Sequence, residues 1–210
     1  TRQAPMFELN WITLGAIILV VMFVINMVQI RASMMSQKER LDKAWREVEN
    51  ALLNRRNRIP AIIQALENHA SSQNQAIDWV RNFAAAVRQA ASRAEVALND
   101  TKERAKREDE LSKRVRALVD LAGTYPDVIG NPNYREALTR LLSATDEIAE
   151  AERYYNDNAR DFNQRLQGFP NKQLASLFSL RPATLFRLKA TRGDGASDSG
   201  DEMHSFFTRR

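Results

Sequence analysis

The chain has 210 residues, a net charge of +5, 44% hydrophobic and 27% charged residues, a balance that suits one globular domain with an added apolar segment. The absence of cysteine excludes disulfides, thiolate metal sites and cysteine nucleophiles, and two histidines, His69 and His204, leave histidine-based catalysis little to work with. Seven glycines and six prolines, against abundant Ala, Leu, Glu, Arg and Gln, are the composition of long helices.

Residues 1–10 read as a short tail. Residues 11–30 (WITLGAIILVVMFVINMVQI) carry no charge and match the ~20 residues a helix needs to cross a ~30 Å hydrocarbon core. A cleaved signal peptide would have an apolar region of about 7–15 residues and a small-residue cleavage site, and Arg31-Ala32-Ser33-Met34 is not one. Lys and Arg close to the ends of a span set its direction. Only Arg2 precedes this one, whereas Arg31, Lys38, Arg40, Lys43 and Arg46 follow, which places the N-terminus outside and the larger part in the cytoplasm. Asn26 and Gln29 share a face near the inner end of the span. Their amides either bond a neighbouring helix, for about 0.6–2 kcal/mol, or reach water at the interface; they are the candidate contacts of a homo-oligomer.

From Leu41 the apolar residues recur as Leu41, Trp45, Val48 and Leu52, one face of a helix that continues out of the membrane. Arg55, Arg56 and Arg58 then lead into Ile59-Pro60, where a turn or sharp kink is expected, because Pro suits a first helical turn and disrupts an interior. The stripe resumes through Ile62, Ile63, Leu66, Ala70, Ile77, Val80, Ala84, Val87, Ala91, Ala94 and Leu98, which predicts a second long helix. Asn99-Asp100-Thr101 interrupts it, and Asp100 with Glu103 makes a capping box for a third helix carrying Leu111, Val115, Leu118 and Leu121 to Gly123. The charged stretch 102–114 reads as a solvated face with favourable pairs Glu103–Arg107 and Glu110–Arg114.

Two turn signals, Thr124-Tyr125-Pro126-Asp127 and Gly130-Asn131-Pro132-Asn133, enclose a short connection, with Asn133 as the expected cap of a fourth helix. That helix runs through Leu138, Leu141, Ile148, Tyr155, Ala159, Phe162 and Leu166 to Gly168, and Pro170 stops it. Tyr155-Asn156-Asp157 lies mid-helix, where Asn and Asp are poor formers, so these side chains are expected to bond a neighbouring helix or loop. Residues 174–188 form a short amphipathic segment that caps the bundle, lies on the membrane surface or binds another subunit. Beyond Thr191 a Gly, Ser and Asp composition reads as a disordered tail. The fold class is therefore all-α: an N-terminal transmembrane helix continuing into a bundle of about four long antiparallel helices.

The sequence resembles the LemA family of bacterial membrane proteins. The likeness is carried by the N-terminal span, Ala44-Trp45, Val48-Glu49, Leu52, an arginine (Arg55) before Ile59-Pro60, Tyr125-Pro126-Asp127, Tyr155-Asn156-Asp157, Asn163, Phe169-Pro170-Asn171 and Phe186. The chain departs from the family pattern at Asn57-Arg58, at Thr145 and at Glu152. The resemblance implies an anchored bundle of long helices in the bacterial inner membrane, or an internal membrane derived from it, with no established enzymatic activity. A magnetosome branch belongs to the same wider family, and these residues do not separate it from the rest.

No catalytic, cofactor-binding or metal-binding constellation is expected. Carboxylate pairs such as Asp109-Glu110 and Asp146-Glu147 are adjacent and point apart on a helix. The leading expectation is a non-enzymatic scaffold that assembles with itself or with other inner-membrane proteins. The alternative is a binder of anionic ligands through Arg55, Arg56 and Arg58. For lipid headgroups this meets a distance limit: Arg56 lies 26 residues beyond Ile30, about 39 Å along a continuous helix, several times the ~8 Å Debye length. Nucleic acid is disfavoured by the lack of interleaved aromatics.

Overall fold

In a computed structural model, residues 11–73, 77–96, 100–169 and 171–189 are described, and all the regular structure among them is helical. The expected tails at 1–10 and 191–210, His204, Asn99 and the stop at Pro170 lie outside the described residues. The elements are α1 (Trp11–Gln73), α2 (Ile77–Glu95), α3 (Thr101–Gly123), α4 (Pro126–Gly130), α5 (Pro132–Gln167) and α6 (Asn171–Leu177).

The first helix is 63 residues long, about 95 Å at 1.5 Å per residue. Its apolar start, the one helix among the described residues long and apolar enough to cross a membrane, has no buried residue in that window. The chain then runs up α1, down α2, up α3 and down α5. Arg88 of α2 pairs with Glu67 and Arg56 donates to Ala94 O, which fixes the antiparallel register of α1 and α2. Arg104 pairs with Glu49 and Glu108 with Arg55, so α3 runs parallel to α1.

Of the turn or kink expected at Pro60, the turn is not made. α1 passes through it without interruption, and the stripe read as one helix from Ile62 to Leu98 is divided between the end of α1 and α2. Proline in a helix interior removes the bond to the carbonyl four residues back and costs about 3 kcal/mol. Here Ile59, Ile62, Ile63 and Leu66, all at most 3% exposed, flank it on the buried face, and each buried side chain of that size contributes about 1.5–3 kcal/mol. Tertiary burial outweighs the local defect, and Pro60 itself faces outward.

Two cores follow from helix length. The distal core is a four-helix layer: Ile62 and Leu66 of α1, Val80 and Val87 of α2, Leu111 and Leu118 of α3, and Leu138 and Leu141 of α5. The proximal core, nearer the apolar start, has Met34, Leu41, Val48 and Leu52 of α1 and Tyr155, Ala159, Phe162 and Leu166 of α5, joined by Ala175, Phe186 and Leu188. Of α3 only the start, through Ala105, reaches this core, and α1 and α5 run on past it.

The helix ends follow elementary capping. Asp100 accepts from Lys102 N at 2.8 Å, as a cap of α3 should, while the Glu103 carboxylate engages Arg107 at 3.3 Å. Tyr125-Pro126-Asp127 opens α4, with Pro126 in the first turn and Tyr125 half-buried against the distal core. α5 is capped by Asn131, not by the expected Asn133: Asn131 Oδ1 accepts from Asn133 N and Tyr134 N at 2.9 and 3.3 Å. Pro132 explains the shift, because a proline that needs no amide partner fits the first helical position and leaves the preceding residue as the cap.

Replacing Pro60 by Ala should restore a helical hydrogen bond without disturbing the core. The full-length Pro60→Ala protein is expected to gain about 1–2 kcal/mol, less than the interior-proline penalty because the unfolded chain also becomes freer. Thermal unfolding in detergent, followed by circular dichroism, should show a higher midpoint; a lower one would mean that a bend at Pro60 is required.

Candidate functional site

Beyond α6 the chain does not continue as a helix. A turn with Ser179 in the left-handed region (φ 54°) is closed by bonds from Leu180 N to Ala175 O at 2.9 Å and from Ser179 N to Ser176 O at 3.3 Å, the pairing that satisfies the last carbonyls of a helix. Residues 180–188 then run without regular structure, with Pro182 near their start. Proline denies the chain an amide donor and biases the residue before it to an extended form, so a helix is disfavoured there. The part of 174–188 after Leu177 is a strap and not an amphipathic helix.

The strap is held by side chains of α5. Asn156 donates from Nδ2 to Phe186 O at 2.6 Å and accepts from Phe186 N at Oδ1 at 2.9 Å. Asn163 does the same for Ala183, at 2.9 and 2.7 Å. Glu152 accepts from Leu188 N at 3.3 Å, and Tyr155 donates its hydroxyl to Thr184 O at 2.8 Å. On the other side Asp109 of α3 accepts from Lys189 N at 2.8 Å.

The spacing of these residues explains why they fit. Seven residues of helix from Asn156 to Asn163 rise about 10.5 Å, and three residues of extended chain from Ala183 to Phe186 cover about 10 Å. A primary amide offers both a donor and an acceptor, so each asparagine can pair both backbone groups of one strap residue. Phe186 is thereby buried to 0% exposure with both backbone groups bonded, and Leu188 to 1% with its N–H bonded.

Trp45 of α1 closes the cluster. Its ring meets Tyr155 edge-on at 5.0 Å and Phe186 at 5.5 Å between centroids, arrangements that favour aromatic pairs. Its Nε1 donates to Glu49 at 3.1 Å, the same carboxylate oxygen that Arg104 reaches at 2.6 Å, and the Arg104 guanidinium lies 5.6 Å over the indole. Burial, with the Asp42 charge, pushes the Tyr155 hydroxyl up from its usual range, so it stays a donor through ordinary pH.

A second polar knot sits inside the bundle. Glu108, fully buried, binds Arg55 Nη2 through one oxygen and Arg56 Nη1 through the other, both at 2.6 Å. Arg55 also donates to Ser112 Oγ at 2.7 Å. Burial lowers the pKa of Arg55 and the Glu108 carboxylate opposes that shift; a guanidinium remains charged at neutral pH in either case. The stretch 102–114 is therefore not wholly a solvated face, and Arg55 and Arg56 are not an open anion site. Arg58 turns back to Asn54 Oδ1 at 3.3 Å.

The remaining singled-out residues lie apart. Asp157 is exposed and pairs with Arg160 at 2.6 Å, and Tyr125, Pro126 and Asp127 sit at the α3–α4 junction at the distal end. Asn26 and Gln29 are exposed on α1. Among the described residues no three His, Asp or Glu side chains gather to hold a metal. The residues that sequence reasoning missed are Glu108, Asp109 and Arg104. Glu108 had a signal: it falls three residues from both Ala105 and Leu111, on the apolar stripe of α3.

Asn156→Ala should leave two backbone groups of Phe186 without partners, at a cost of about 2–6 kcal/mol taken from about 1–3 per buried unsatisfied group. Hydrogen exchange is expected to rise at Phe186 and Leu188 while the distal helices keep their protection. Trypsin should cut after Arg187 faster than in the parent protein, and unchanged rates at both would refute the clamp.

No curated protein matches the chain. The family model described as LemA family matches residues 44–196, from the residue before Trp45 through the whole strap. The chain belongs to the LemA family, and with its apolar first helix this marks it as a membrane-associated helical protein.

Proposed function

We propose that this protein is a non-enzymatic scaffold of the bacterial inner membrane, or of an internal membrane derived from it. It is anchored by residues 11–30 with its N-terminus outside and its bundle in the cytoplasm. The carrying observation is that the apolar segment and the first bundle helix are one uninterrupted element, α1. The anchor and the bundle then move as one stiff body instead of a domain on a loose tether. The charge distribution, with Arg31, Lys38, Arg40, Lys43 and Arg46 after the apolar segment, supports the direction.

The use of the buried polar groups supports a structural role. Arg55, Glu108, Glu152 and Asn156 are the buried polar residues among those described, and each is bonded to another part of this chain. A scaffold acts by self-association or by holding membrane partners, and Asn26 and Gln29 are the amides available along the span. In mild detergent, light scattering should give a protein mass at least twice that of one chain, and Asn26→Leu/Gln29→Leu should lower it. A monodisperse single chain with no co-purifying membrane protein would refute the scaffold reading.

One observation favours a second reading, an anionic-ligand binder, at a different place from Arg55, Arg56 and Arg58. An open groove of about 1270 Å³ between α3 and the strap is lined by Lys102, Lys106, Lys113, Arg187 and Lys189. Of its three acids, Glu103 and Glu110 are engaged by Arg107 and Arg114, and Asp109 accepts from Lys189 N. The groove would concentrate a polyanion in a salt-dependent way. Retention on a heparin column should then shift to lower salt in Lys113→Glu/Arg187→Glu, and no retention of the parent protein at low salt would remove this reading.

A further inference from the structure

Outside the apolar segment, the two most exposed large hydrophobic side chains among the described residues are Phe169, at 87%, and Leu177, at 65%. They bracket α6, and Ala175 between them is buried against the proximal core. Exposed apolar side chains on a short helix at one end of a bundle need a covering, and their height along α1 says which.

A cavity of about 190 Å³ is lined by Phe23, Asn26, Met27 and Ile30 of α1 and by Phe169, Gln173 and Leu174. If Ile30 marks one edge of the hydrocarbon, Phe23 lies about 10 Å inside it and Met27 about 5 Å. Phe169 and Leu174 stand beside these residues. To hold Phe169 in water the membrane would have to begin near Phe23, leaving residues 11–23, about 20 Å of helix, for a ~30 Å core. The span and a dry Phe169 therefore go together.

The charges agree with that depth. Arg31, whose guanidinium lies 5.5 Å over the Phe178 ring, is the first charge after the apolar run. Lys172 and Arg181 are exposed on either side of the α6 turn. Long basic side chains at such a level reach headgroup phosphates while their stems stay apolar.

We infer that Phe169 and the outer face of α6 form a second membrane contact, seated among the acyl chains of the leaflet on the bundle's side, next to the span. The depth matches the 5–10 Å at which apolar faces of interfacial helices lie. The contact fixes the bundle's rotation about the axis of α1, since only one side of the bundle can face the lipid. It rests on the reading of residues 11–30 as a membrane span.

The chain has no cysteine, so full-length Phe169→Cys and Leu177→Cys can be nitroxide-labelled singly in vesicles of phosphatidylethanolamine and phosphatidylglycerol. Val20→Cys in the apolar run and Tyr154→Cys on the exposed side of α5 are the references. Power saturation should show labels at 169 and 177 open to oxygen and several-fold protected from a water-soluble nickel chelate, like Val20 and unlike Tyr154. Labels as wet as Tyr154, with Val20 still lipid-exposed, would overturn the inference alone. Labels shielded from both oxygen and nickel would overturn it in favour of a covering protein surface, such as a second copy. A wet Val20 would instead overturn the span reading, and this inference with it.

Discussion

Two helices cannot enclose a core, and the architecture answers that constraint. α1 and α5 run on past α2 and α3, so their facing apolar residues, from Met34 and Leu41 to Phe162 and Leu166, would lie open at the proximal end. The chain covers them with its own C-terminal strap. An extended segment brings a backbone with unmet donors and acceptors, and α5 meets these with Asn156, Asn163, Glu152 and Tyr155 at intervals that match an extended chain. Thus the polar residues that look misplaced in the middle of α5 are what allows Phe186 and Leu188 to be buried.

The contact of α3 with α1 is tied differently. α3 reaches α1 mainly through long charged side chains, with Glu108 between Arg55 and Arg56 and Arg104 at Glu49. A buried ion pair of this kind gains little net stability over an apolar replacement, because both partners lose their hydration. Its effect is on register: a carboxylate that must meet two guanidiniums, one of which also donates to Ser112 Oγ, admits one alignment of α3 along α1. Breaking it by removing Glu108 leaves Arg55 buried with its charge uncompensated, which is far costlier than never having placed the pair there.

Helix type and approximate extent were legible because apolar residues recur at three and four along each helix and because Gly123 and Gly168 stand at the ends of α3 and α5. Pro60 misled, since local propensity says break and the burial of four isoleucine and leucine side chains around it says continue. Asn131 and Asn133 are equally good caps by residue type, and the position of Pro132 decides for Asn131. The asparagines of α5 declared a non-helical use for their amides, but which segment they bind was hidden, because nothing short of the fold brings residue 156 next to residue 186. Glu108 was hidden by its neighbours: a run of thirteen residues dominated by charge conceals one carboxylate on the buried stripe.

The continuity of α1 gives the proposed anchor a mechanical consequence. Pro60 lies thirty residues beyond Ile30, about 45 Å along a straight helix. A change of about 10° in the tilt of the span, well within the range over which spans adjust to membrane thickness, would carry that end of the bundle sideways by about 8 Å. The proximal core resists bending between the two, since α5 packs along α1 from Met34 upward and the strap closes the remaining side. Tilt in the membrane is then converted into displacement at the distal end instead of being absorbed at a hinge, which is the property a scaffold needs if the arrangement of spans is to set the arrangement of bundles.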